Sequence, residues 1–238
     1  MSDQSTATPT RSEQLNSFFS RRWRGILVFS VLLVASIIAA VVIAQVLDAR
    51  NAEAVMQAEA VQELWDEYLS LADNEGDDAD DQITAAESEL RDAIGTAREE
   101  YRGSYADLRA SFILGSLEWD LEDWSAARTA YLSVVDGFGD SHLAGPALAS
   151  AAAASENLGE TERARELYGR LAEGEAQPNL EAARAIFNLG RLAEDAGEAE
   201  LALEYYNRLV DEYASSTWTN LGRNRIIFLT TQGVGSES

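Results

Sequence analysis

The side chains that could perform chemistry are few in this sequence and poorly placed for it. Its single histidine, His142, lies in Gly-Asp-Ser-His-Leu-Ala-Gly (139–145), and there is no cysteine. One imidazole without a second histidine or a thiolate completes neither a zinc site nor a thiol dyad, so His142 reads as a surface residue. Asp77, Asp78, Asp80 and Asp81 crowd into NEGDDADD (74–81), where a divalent cation could be attracted. That run lacks the alternating ligands and central glycine of a calcium loop, and it reads as a solvated loop. None of the 18 basic residues is lysine, so a phosphate-cradling lysine is impossible, and no glycine-rich phosphate motif or nucleophile elbow occurs. No catalytic residue, metal or cofactor is expected, and the chain is not expected to be an enzyme.

Charge narrows the partners. Forty-one acidic residues give a formal net charge of −23, which repels the phosphates of nucleic acid. Only three prolines interrupt the chain, and Ala, Leu and Glu dominate it, which is a helix-forming composition.

Gly25 to Leu47 (GILVFSVLLVASIIAAVVIAQVL) carries no charge. At 1.5 Å per residue such a helix is roughly 34 Å long, enough to cross a hydrocarbon core of ~30 Å. A secretory signal has a shorter apolar region and a small-x-small cleavage site. Here the apolar run passes directly into an acidic helix, so an uncleaved anchor is expected. Arg21, Arg22 and Arg24 precede the span and only Arg50 follows it closely. The positive-inside rule then keeps residues 1–24 in the cytoplasm and exports the remainder, with Trp23 at the entry interface.

Residues 1–17 are polar and aperiodic and are expected to lack regular structure. Ala58, Val61, Trp65, Tyr68 and Ala72 recur at helical spacing, as do Ile83, Ala86, Leu90, Ile94, Ala97 and Tyr101. Gly103 should end that second helix, with Ser104 and Asp107 capping the next. Beyond it three segments superimpose: 113–135, 150–172 and 188–210. Gly115, Ala152 and Gly190 correspond, as do Ala127, Ala164 and Ala202, and Tyr131, Tyr168 and Tyr206, always 37 or 38 residues apart. Three columns with one period predict stacked helical hairpins. The small residue should let the second helix approach, the alanine should meet it, and the tyrosine should fill the gap toward the next hairpin. Glu122-Asp123, Gly159-Glu160 and Gly197-Glu198 fall in the tight turns. Pro146 and Pro178 stand where new helix pairs begin, and Gly137 to Gly145 reads as a long link. Ser215-Ser216-Thr217 can cap a last helix whose apolar set is Trp218, Leu221, Ile226 and Phe228.

The pattern resembles the tetratricopeptide repeat. Leu189, Gly190, Gly197, Ala202 and Tyr206 carry the likeness in the third copy, and Leu114, Gly115, Trp124, Ala127 and Tyr131 in the first. The second departs from it, with Ala152 for glycine and Thr161 for the turn aromatic. The resemblance covers about residues 105–213 and implies an all-α solenoid that binds proteins along the side lined by its first helices. In that register the binding candidates are Arg109, Phe112, Ser116, Trp119 and Asp120 from copy one. Copy two supplies Glu156 and Asn157, beside Ala149 and Ala153, and copy three supplies Arg184, Phe187, Arg191, Glu194 and Asp195. Phe112 and Phe187 can be read as groove aromatics or as inter-repeat packing.

The expected map is a cytoplasmic tail (1–24), a transmembrane helix (25–47), a helical stalk or degenerate hairpin (48–104), repeats with a capping helix (105–231) and a flexible tail (232–238). This layout is similar to the bacterial YfgM-type ancillary subunits of the SecYEG translocon. The resemblance implies an inner-membrane, single-pass protein whose bulk is periplasmic and which serves as a scaffold in protein export. A coordinator of cell division or outer-membrane assembly is the alternative scaffold, and a solute- or peptidoglycan-binding receptor is the alternative from another class.

Overall fold

In the computed structural model, residues 11–73, 79–174, 180–231 and Gly233 are described, and every regular element among them is a helix. These are α1 (Arg11–Ala72), α2 (Ala79–Glu100), α3 (Tyr105–Asp120), α4 (Trp124–Phe138) and α5 (Ala144–Asn157). They continue with α6 (Thr161–Ala172), α7 (Ala182–Asp195), α8 (Ala199–Glu212) and α9 (Thr217–Thr231). The chain divides into two compact units, residues 1–52 and 53–238.

The first unit holds the N-terminal part of α1. Among its described side chains the apolar ones, such as Phe29, Leu32, Ile38 and Ile43, are exposed. The most apolar stretch has a mean hydropathy of 3.2, and none of it is buried. Among the described residues, α1 is the one helix long and apolar enough to cross a membrane. It begins at Arg11, inside the segment expected to lack regular structure. The rest of that segment, like Pro178, Asp77 and Asp78, lies outside the described residues.

The second unit is the repeat array. Ala54, Ala58, Val61 and Tyr68 from the end of α1 share one apolar cluster with Leu90, Ile94 and Ala97 of α2 and Ala106, Ala110, Ile113 and Leu117 of α3. Ala72, placed on that face by its spacing, is exposed. Asp80 and Asp81, expected in a loop, occupy the first turn of α2, where carboxylates favour the positive end of the helix dipole. The Ser104 hydroxyl accepts from the Ala106 amide at 3.1 Å and Asp107 accepts from the Gly103 amide at 2.8 Å, so the expected cap of α3 is present. A second, larger cluster runs through α3 to α8.

The repeat columns have a physical basis that differs in one respect from the expectation. A Cβ on Gly115 would lie 2.6 Å from the Tyr131 ring, and one on Gly190 would lie 2.6 Å from the Tyr206 ring. The tyrosine of the second helix therefore meets the small residue of the first within the same hairpin. Ala127, Ala164 and Ala202 are fully buried. Pro146 sits in the first turn of α5, but Gly137 lies in α4 and Gly145 in α5, so the link between them is shorter than expected.

The three tight turns share one backbone device. Gly159 and Gly197 adopt φ of 73° and 77°, and Glu122 occupies the equivalent position at φ 59°. A side chain in this left-handed region costs about 1–2 kcal/mol that glycine does not incur. Glu122→Gly should therefore raise the stability of the array by about 1 kcal/mol and Gly197→Glu should lower it by about as much. Urea midpoints of the two variants check this.

α9 covers the end of the array in a register that differs from the apolar pattern. Leu221 and Phe228 are exposed, whereas Thr219, Gly222 and Leu229 are buried. The Thr219 hydroxyl donates to the Tyr213 carbonyl at 2.5 Å, capping the frayed end of α8, and Gly222 leaves room for the Leu209 side chain.

Candidate protein-binding surface

Consecutive first helices are tied together by long-range ion pairs. Arg191 of α7 donates to Glu156 of α5, and Arg225 of α9 donates to Glu194 of α7, with its Nε at 3.0 Å. The Tyr168 hydroxyl also donates to Glu156, at 2.9 Å. Second helices are tied to the next turn in the same manner: Arg128 holds Glu160, and Arg165 holds Glu198 at 2.8 Å. These pairs fix the stacking of one hairpin on the next.

This stacking gathers several of the candidates. Ser116, Trp119 and Asp120 of α3 share a cleft of about 320 Å³ with Ser150 and Ala153 of α5 and Arg184 of α7. Trp65 of α1 and Tyr131 of α4 complete it. Asp120 accepts from the Tyr68 hydroxyl at 2.8 Å, and the Trp119 ring meets Trp124 edge-on at 4.8 Å. A second cleft, about 330 Å³, contains Glu156, Arg191 and Asp195, and Asn157 is exposed at the end of α5. Indole rings beside a carboxylate and a guanidinium offer apolar area together with directional hydrogen bonds, which is the make-up of protein-recognition anchors.

The remaining candidates are spent on the fold. Arg109 donates to the side-chain amide oxygen of Gln62 in α1 at 2.7 Å. Glu194 is engaged by Arg225. The Phe112 ring packs edge-on against Tyr131 at 5.5 Å, and Phe187 lies between Tyr206 at 5.7 Å and Trp218 at 5.3 Å. Neither phenylalanine lines the two clefts, and Ala149 is fully buried. Trp65 was absent from the repeat register because it belongs to α1. Its helical spacing marked it as an apolar-face residue and nothing more.

Burial, followed by the neighbouring carboxylate of Glu156, pushes the Tyr168 phenol above its ordinary range, and burial followed by Glu194 does the same for Tyr206. Burial also raises Tyr131. Above the ordinary tyrosine value of about 10 the unfolded chain releases phenolic protons that the folded array retains. Stability should be undiminished below that value and fall as pH rises beyond it. Urea midpoints between pH 8 and 11 should show the decline, and Tyr168→Phe should make it shallower.

The comparison with known families bears on α7 and α8, where five of the candidates stand. Residues 184–216 match the tetratricopeptide repeat. A TPR repeat-containing protein of Treponema pallidum (strain Nichols) is 31% identical over 137 residues, covering 58% of this chain. The chain spans 56% of that relative's length. The matched tetratricopeptide repeat is the third copy of the period, and it includes Gly190, Ala202 and Tyr206, which carried the resemblance. Together with the nine helices among the described residues, it makes the fold a helical array of the tetratricopeptide-like kind.

Proposed function

We propose that the chain is a membrane-anchored scaffold that holds protein partners against the side formed by α3, α5 and α7. The observation that carries this reading is the cleft to which three successive first helices contribute Trp119, Asp120, Ser150 and Arg184. The apolar stretch of α1 serves as the anchor in this reading, and the arginine asymmetry around it supports a placement of the repeats on the outer side of the bacterial inner membrane. No catalytic role is assigned to any residue. Through its likeness to YfgM-type subunits, the scaffold serves protein export at the Sec translocon.

Because the chain has no lysine, amine-directed reagents would miss the repeats. A photoreactive amino acid at the exposed Asn157, incorporated in the intact membrane protein, is the suitable probe. Crosslinked partners identified by mass spectrometry should include SecY or a periplasmic chaperone. Division or outer-membrane-assembly proteins in their place would overturn the export assignment. Loss of all adducts on Trp119→Ala is the expected control, and adducts indifferent to that change would sink the cleft itself.

A further inference from the structure

Three aromatic residues, Trp65, Trp119 and Tyr131, line the cleft shared by α3, α5 and α7, and Asp120 is the one carboxylate in its lining. Both indoles are half-buried, and each is held by a ring that does not line the cleft. Trp65 stacks on Tyr68 at 5.5 Å, and Trp119 meets Trp124 edge-on at 4.8 Å. Their positions are set before a partner arrives, so little side-chain freedom is lost on binding.

Asp120 is fixed in the same manner. Its Oδ2 accepts from the Tyr68 hydroxyl at 2.8 Å, and among the described residues no hydrogen bond or ion pair engages its Oδ1. A carboxylate in this state keeps acceptor capacity for a guest. The cation of the lining, Arg184, is drawn to Glu181, three positions earlier, at 3.6 Å. Asp120 and Glu181 against Arg184 leave a net negative charge beside the rings. The surroundings have the same sign, because residues 53–238 carry 38 acidic residues against 13 arginines. Such a field concentrates cations at the surface.

We propose that this cleft, taken as the partner site of the scaffold reading above, recognises an arginine side chain of a basic partner segment. The guanidinium stacks on the accessible surface of Trp65 or Trp119 and donates to Oδ1 of Asp120. A guanidinium is planar, weakly hydrated and attracted to indole faces. An anion would meet the negative side of the ring quadrupole and the charge of Asp120. Arg184 gives the test its sign, since it repels a cationic guest and attracts an anionic one.

The probe is N-acetyl-arginine amide, titrated into the full chain in detergent micelles with isotope-labelled tryptophan and followed by the indole resonances. The Trp65 and Trp119 signals, assigned with Trp65→Phe and Trp119→Phe, should shift along one saturable curve while Trp218 stays in place. N-acetyl-citrulline amide has the same shape without the charge and should bind about tenfold more weakly. The arginine probe should lose about as much on Asp120→Asn, which keeps an acceptor for Tyr68. Arg184→Gln should tighten binding about threefold, the worth of an exposed charge contact. Asp211→Asn makes an equal charge change at an exposed position of α8 and should leave Kd unchanged. Circular dichroism of each variant establishes that the fold survives. Equal binding of the citrulline probe, a uniform drift of all indole signals, weaker binding to Arg184→Gln, or equal weakening by Asp211→Asn would each overturn the proposal. Adducts at Asn157 that still depend on Trp119 would, alongside such a failure, keep the cleft as a partner site and refute only its guest.

Discussion

Phe187→Ala should remove about 3 kcal/mol from the repeat unit, the low end for deleting a packed aromatic because the ring is half-buried. The ring lies between Tyr206 and Trp218, so its loss opens a gap where α7, α8 and α9 converge. Neither neighbour can collapse far into it. Tyr206 is held against the backbone of Gly190, and α9 is fastened to α7 by Arg225 and Glu194. Thermal unfolding of the full chain in micelles measures the effect. A melting temperature within a degree or two of the parent would mean that the ring is presented to partners and contributes little to packing.

Gly190→Val is expected to be comparably damaging, by about 2–3 kcal/mol. A Cβ at this position already falls 2.6 Å from the Tyr206 ring, and the branched methyls deepen the clash in a core that cannot yield. The second copy provides the internal contrast. It places Ala152 at the same position, fully buried, while its tyrosine directs the hydroxyl to Glu156. Ala152→Gly should cost about 1 kcal/mol through helix propensity. Glycine is thus required at 190 and unwelcome at 152, and paired urea titrations read both signs.

The repeat period was legible because the contacts behind it demand particular residue types. A ring lying on a helix backbone needs glycine or alanine beneath it, and a left-handed turn favours glycine, so Gly115, Gly190, Gly159 and Gly197 recur at fixed distances. The register of α9 was not legible from apolar spacing. Thr219 is drawn inside by the carbonyls that terminate α8, Gly222 by the bulk of Leu209, and Leu221 and Phe228 are displaced outward. The first-helix register put Ser116, Trp119, Asp120 and Arg184 on one side, and the structure brings them to one cleft. It could not separate them from Phe112 and Phe187, because half-buried rings satisfy the same spacing whether they face a partner or a neighbouring helix. The Arg–Glu ties were equally hidden: with 41 acidic residues, no particular pairing 31 to 35 positions apart stands out.

The principal packing pairs run between consecutive helices from α2 to α9, supplemented by α7 against α9. Such a stack behaves like a row of books in which each volume is steadied by the ones beside it. Detaching α9 uncovers Tyr206 and Leu209 and loosens the hairpin beneath, so a protease acting near Ser215 would start an unravelling that travels back toward α2. The lifetime of the array is then governed by how firmly α9 is fastened.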